Sequence, residues 1–75
     1  MSFKEKLVGY FKEKHAAEIG EDESLFERGV LDSMDLIELI AFIETNAGVQ
    51  VPDDEVAPDN FETIAQIDAL VARLQ

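Results

Sequence analysis

The apolar residues Leu36, Leu39, Ile40 and Ile43 recur at i, i+3, i+4 and i+7 between Asp32 and Gly48. That spacing brings side chains to one face of a helix, so the run fixes an amphipathic helix from Ser33 to about Ala47. Asp32 suits the N-cap, because its carboxylate accepts from the free backbone N–H groups of the first turn. Asp35 adds negative charge where the helix dipole is positive, and Gly48 supplies a left-handed stop. Ser33 then falls at the first helical position with its hydroxyl outward. A second apolar set, Met34, Ile37 and Ala41, repeats on an adjoining face flanked by Asp35, Glu38 and Glu44. This helix has more apolar surface than one small core needs.

The remaining segments are organised around it. Ser2-Phe3-Lys4-Glu5 has the form of a capping box, and Phe3, Leu7, Tyr10, Phe11 and Lys14 follow at helical spacing. They predict a first helix ending near His15 to Ala17. Gly9 inside it costs roughly 1 kcal/mol relative to alanine, which implies either close packing or simple tolerance. From Glu18 to Leu31 breakers replace any long period, giving a long loop with one helical turn opened by Ser24 and ended by Gly29. Ile19, Leu25, Phe26 and Val30 should anchor that loop inward, since an unanchored loop of this length is unusual in a compact domain. Val49 and Val51 form a brief extended link, Pro52 to Ala57 a single acidic turn, and Pro58 prevents its continuation. Phe61 should plug the core. Thr63-Ile64-Ala65-Gln66 opens the last helix, with Ile64, Ile67, Leu70, Val71 and Leu74 inward. The expectation is an all-α bundle of three main helices plus one short helix, with a long loop between helices 1 and 2, in a single domain spanning residues 1–75.

A chain of 75 residues buries only about 60% of its unfolded surface, which leaves one small core and little room for an enclosed pocket. Its formal net charge is -11, from 17 acids against six bases. Four of the six bases, Lys4, Lys6, Lys12 and Lys14, lie in the first fourteen positions; from His15 onward Arg28 and Arg73 oppose fifteen acids. Nucleic acid and anionic membranes bind clustered Lys and Arg, so the acidic body argues against both and for basic protein partners. With no cysteine there is neither a disulfide framework nor a thiolate metal site. The N-terminus lacks an apolar signal core and no run approaches transmembrane length, so a cytoplasmic monomer without membrane insertion is expected.

Other constellations carry less. His15, the single histidine, reads as a surface residue near a helix end, where charge gains from the dipole. A Ser33–His15 hydrolase would lack both a nucleophile elbow and space for an oxyanion site. Glu21-Asp22-Glu23 and Asp53-Asp54-Glu55 have neither the spacing nor the glycine of a calcium loop and read as solvated charges. The plain reading of Asp32-Ser33 is a helix cap alone. The plain reading of the Met34, Ile37 and Ala41 face is ordinary core, covered by the long loop.

Taken together, Leu25-Phe26-Glu27-Arg28-Gly29-Val30-Leu31, then Asp32-Ser33-Met34 opening Leu36-Ile37-Glu38-Leu39-Ile40, resemble the acyl carrier protein family of phosphopantetheine-bearing carriers. The resemblance covers nearly the whole chain in length, helix order and acidity. It implies that Ser33 is esterified with 4'-phosphopantetheine from coenzyme A by a separate, basic phosphopantetheinyl transferase. The arm's thiol would carry acyl or aminoacyl groups as thioesters in fatty-acid-like or specialised biosynthesis, and the chain itself would not be an enzyme. The resemblance also implies that Asp32, Met34, Asp35, Ile37, Glu38, Ala41 and Glu44 face the partners. These are the transferase, an acyl- or aminoacyl-loading ligase and downstream enzymes with basic and apolar patches.

The string departs from the common fatty-acid-synthesis form, where glycine lies closer to the Asp-Ser pair and a shorter residue than Leu31 precedes it. It looks more like discrete carriers in specialised pathways, including those that hold D-alanine or another amino acid. A D-alanyl or peptidyl carrier is therefore the alternative reading, and an acidic helical interaction module with no prosthetic group is the rival of a different class. Phe42 and Phe61 should crowd the space between helices and keep a long acyl chain outside. If Asp32 caps the helix it uses the donors a phosphate on Ser33 would need, leaving the arm in solvent or along the surface.

Overall fold

A computed structural model describes residues 2–15 and 18–75. Three helices carry the fold, α1 at Phe3–His15, α2 at Ser33–Ala47 and α3 at Ile64–Leu74. No strand forms among the described residues. The expected end of the first helix near His15 to Ala17 falls in part on residues 16 and 17, outside the described residues. Each helix opens on the residue its sequence supplies for capping: Ser2 Oγ accepts the Glu5 N–H at 3.2 Å, Asp32 Oδ1 the Asp35 N–H at 2.9 Å, and Thr63 Oγ1 the Gln66 N–H at 3.1 Å. Gly48 ends α2 at φ 69°, a conformation that side chains with a Cβ resist, and donates its N–H to the Glu44 carbonyl at 3.2 Å.

The core is built from Leu7 and Phe11 of α1, Leu39 and Ile43 of α2, and Ile64, Ile67, Leu70 and Val71 of α3, with Phe61 and Leu25 wedged among them. Leu36 and Ile40, expected in the same stripe, are half-buried at its border. Nothing lies within 4 Å of where a Cβ on Gly9 would sit, so α1 tolerates this glycine and no close approach requires it. Between α2 and α3 the expected acidic turn forms at Asp53–Glu55, and a second 3₁₀ turn that the sequence reading did not include follows at Pro58–Asn60. Pro58 stops the first and opens the second, because a first helical position needs no N–H and suits the fixed φ of proline.

Two further findings correct the sequence reading. His15 is half-buried, its ring stacked on Phe11 with centroids 6.3 Å apart, and its Nε2 is covered without a hydrogen-bond partner among the described residues. The i, i+4 spacing lays one ring on the other, which the helix-end argument did not weigh. Phe26 anchors the loop as expected by packing against the core while half-buried, and Leu31, not named as an anchor, is 3% exposed.

The segment before α2 is stitched to the start of α3. The Leu25 N–H donates to the Glu62 carbonyl at 2.8 Å, the Ala65 N–H to the Glu21 carbonyl at 3.1 Å, and Ser24 Oγ to Glu62 Oε1 at 3.2 Å. Gly29, at φ 72°, closes the helical turn begun at Ser24. Glu23 accepts the Gly20 N–H at 2.6 Å and pairs with Arg28; those donors, the Gly20 amide first, hold its carboxyl below the usual carboxylate range. Ile19, Leu25, Val30 and Leu31 then pin the loop to the core. No helix among the described residues is long and apolar enough to cross a membrane.

Candidate functional site at the start of α2

The first turn of α2 is fixed from behind. Val30 and Leu31 are buried, so the chain must leave the core at Asp32, which is extended at φ -121° and ψ -172°. Its carbonyl accepts the first helical bond, from the Leu36 N–H at 2.8 Å. Its carboxylate accepts the backbone N–H of Asp35, and the amides of this turn, that of Asp35 first, hold its carboxyl below the usual range. Because Asp32 performs the capping, Ser33 does not. The hydroxyls of Ser2, Ser24 and Thr63 each accept a backbone N–H at the start of a turn or helix, whereas Ser33 stands one position past its cap, exposed.

Apolar surface surrounds the serine. Met34 is 77% and Ile37 70% exposed, the two most exposed large apolar side chains described, and Ala41 continues the face. The long loop does not cover them, so this face is not core. Two of its acids are held by α1. The Lys14 ammonium pairs with Glu38 and stands 3.8 Å from Asp35 Oδ1. Glu44 Oε2 accepts the Val51 N–H at 3.1 Å and so also ties the end of α2 to the extended link. Asp32, Met34, Asp35, Ile37, Glu38, Ala41 and Glu44 thus run along one side of α2, with Asp35 and Glu44 the most engaged by their own chain.

Sequence reasoning missed the placement of Lys14, which it counted in the periodic face of α1 and among the N-terminal bases. The available signal was Tyr10 four residues earlier: the Lys14 Nζ donates to Tyr10 Oη at 3.4 Å and lies 5.5 Å from the ring centroid. It also missed Glu62, whose partner Ser24 is 38 residues away and leaves no local pattern. Within the acidic triplets Glu21 pairs with Lys4, and Glu55 Oε2 meets Asn60 and Arg73. No three metal-ligating side chains converge among the described residues.

A phosphopantetheine arm fits this end of the molecule. The Ser33 hydroxyl is open to solvent and free of capping, and no described side chain encloses it. The Asp35 amide, one of those a phosphate would seek, is already taken by Asp32, so the helix terminus has less to offer the arm than its ester does. Phe61 is fully buried, and Phe42 stacks outside the core on Tyr10 and Phe3, with centroids 4.6 and 6.2 Å away. An open surface groove of about 580 Å³ runs past Gly9, Tyr10, Phe42 and Asn46.

The family model for the phosphopantetheine attachment site matches residues 5–74. The chain belongs to this family of acyl and aminoacyl carriers, proteins that bear a covalent 4'-phosphopantetheine and are not themselves catalysts. That match sets aside the reading as an acidic module without a prosthetic group. The chain is similar to the D-alanyl carrier proteins of Streptococcus pyogenes serotype M5 (strain Manfredo) and serotype M1. Each is 35% identical over 77 residues, an alignment covering 100% of this chain and 98% of the relative.

Proposed function

We propose that Ser33 is the attachment serine of a single-domain carrier and that its cargo is an amino acid, D-alanine first among the candidates. The observation that carries the assignment of Ser33 is the division of labour at the start of α2: Asp32 caps, so the neighbouring hydroxyl is left exposed for another protein to reach. In the attachment step Ser33 Oγ would attack the β-phosphorus of coenzyme A, forming the new O–P bond and expelling adenosine 3',5'-bisphosphate. The serine proton would pass to a base on the transferase. Once bound, the arm supplies a terminal thiol on which a carboxylic acid is held as a thioester. The small cargo is supported by the full-length similarity to D-alanyl carriers and by a core in which Leu39, Ile43, Phe61 and Ile67 are fully buried against one another. The apolar residues Met34, Ile37 and Ala41, with the acids Asp32, Asp35, Glu38 and Glu44, would receive the transferase, an aminoacyl-loading ligase and downstream enzymes that carry basic patches.

Intact mass after incubation with coenzyme A, magnesium and a broad-specificity phosphopantetheinyl transferase tests the first part. One arm is expected on the unaltered chain and none on Ser33→Ala; an arm that survives the substitution sinks the assignment. The cargo is tested by offering the loaded carrier D-alanine and long-chain fatty acids with their activating ligases. Strong NMR contacts between a bound acyl chain and the methyls of Leu39 or Ile67 would overturn the small-cargo reading.

A further inference from the structure

Lys14 is the next-to-last residue of α1, yet its ammonium sits on the partner face of α2. Its side chain is 29% exposed, against 64% for Lys12 on the same helix. Tyr10 accounts for the difference, since its hydroxyl accepts from Nζ and its ring underlies the charge. Lys14 therefore lies along a fixed surface and presents its charge to Asp35 and Glu38, the two acids that flank Met34 and Ile37. An ion pair at this exposure is weak and exchangeable, because water and salt compete for both partners.

From this geometry we infer that Lys14 is an intramolecular stand-in for the partner's cation, an internal ligand that occupies Asp35 and Glu38 until a basic enzyme displaces it. The inference rests on the proposed partner face. Its consequence is that the face is less acidic on encounter than the sequence suggests. A partner must either accept a like charge beside its own or push Lys14 aside onto Tyr10. The residue thus filters partners: one with a single weak cation competes poorly, whereas one with a clustered basic patch supplies several charges in exchange for one. It also ties the end of α1 to the first turn of α2, so displacement loosens the two helices where Ser33 emerges.

The test compares Lys14→Gln with Lys12→Gln, which removes the same charge from a pair with Glu18 on another part of the surface. The readout is kcat/KM for arm transfer by a broad-specificity phosphopantetheinyl transferase, at low and high ionic strength. Lys14→Gln should raise it about two- to fivefold at low salt, with the gain fading as salt rises, and Lys12→Gln should change it far less. Equal gains for both variants would reduce the effect to net charge and overturn the inference. A loss in folded Lys14→Gln would overturn it too, by making Lys14 a direct contact for the enzyme. If that variant does not fold, the unaltered chain still decides: the side-chain NMR signals of Lys14 must shift on titration with the transferase while those of Lys12 hold, and unmoved Lys14 signals at saturation refute displacement. An unaltered chain that takes no arm removes the proposed function along with this inference; one that takes it without a gain in Lys14→Gln removes this inference alone.

Discussion

α3 begins with the Thr63 hydroxyl accepting the Gln66 N–H and then places Ile64 fully inside the core; α2 begins with the Asp32 carboxylate accepting the Asp35 N–H and then places Ser33 in solvent. The contrast continues along both helices. α3 buries Ile67, Leu70 and Val71 as well, whereas the longer α2 buries Leu39 and Ile43 and leaves Met34 and Ile37 outside. Burying a side chain of that size is worth about 1.5–3 kcal/mol. Against a total stability of about 4–11 kcal/mol for a domain of this length, two such residues left exposed are a large forgone gain. The same local grammar, a cap followed by an amphipathic run, serves the chain's own interior in α3 and, in the proposed function, other molecules in α2.

The largest expected effect separates the two first positions. Ile64→Ala should cost about 2–5 kcal/mol in chemical denaturation, a sizeable part of the whole, because it opens a cavity in a small core. Ser33→Ala should change stability by no more than about 0.5 kcal/mol while eliminating arm attachment by intact mass. A comparable loss of stability in both would make the first turn of α2 as structural as that of α3. Next comes charge. Glu38→Lys should slow arm transfer about tenfold at low salt with helical content by circular dichroism unchanged, the deficit shrinking as salt shortens the roughly 8 Å physiological screening length. Loss of helix instead would mean that Glu38 acts within the fold.

A smaller effect is expected from Ile37→Ser. By isothermal calorimetry it should weaken transferase binding about fivefold, while the melting curve barely moves. Unchanged binding would return the exposed face to the status of ordinary surface. The smallest effect is one of pH. The Asp35 and Met34 amides lower the Asp32 carboxyl, so its capping contribution is complete above the unfolded value of about 3.9 and is lost as pH falls through the lower native value. The Thr63 cap is a neutral hydroxyl and does not titrate. Amide exchange, corrected for intrinsic rates, should therefore accelerate at Asp35 below about pH 4 while Gln66 keeps its protection. Parallel behaviour of the two amides would deny Asp32 its role as the cap.

Much of this difference was legible before any coordinates. The periodicity around Leu39 and Ile43, the capping residues Ser2, Asp32 and Thr63, and the stop at Gly48 are local signals, and each stands where its chemistry placed it. The family resemblance at Asp32-Ser33-Met34 likewise rested on contiguous residues and agrees with the family match. What escaped was non-local. The stitch between Leu25 and Glu62 joins segments that share no pattern, and the seat of Lys14 depends on how α1 is set against α2. Pro58 was read only as the end of the acidic turn, yet the same missing N–H also suits the start of the next.

The stitching of the loop to α3 also sets an order of events. Glu62 and Ala65 supply bonds that hold residues 21–25, and through Leu31 these set where the chain leaves the core for Ser33. Chains are made from the N-terminus, and contacts that close long loops form only when both ends exist. Before residues 62–65 are free to fold, Asp32 can cap a nascent helix but nothing yet fixes the approach to it. The serine reaches its final setting only after the residues around 62–65 have emerged, so an enzyme that reads the folded surface would meet it only on chains in which that segment is already free.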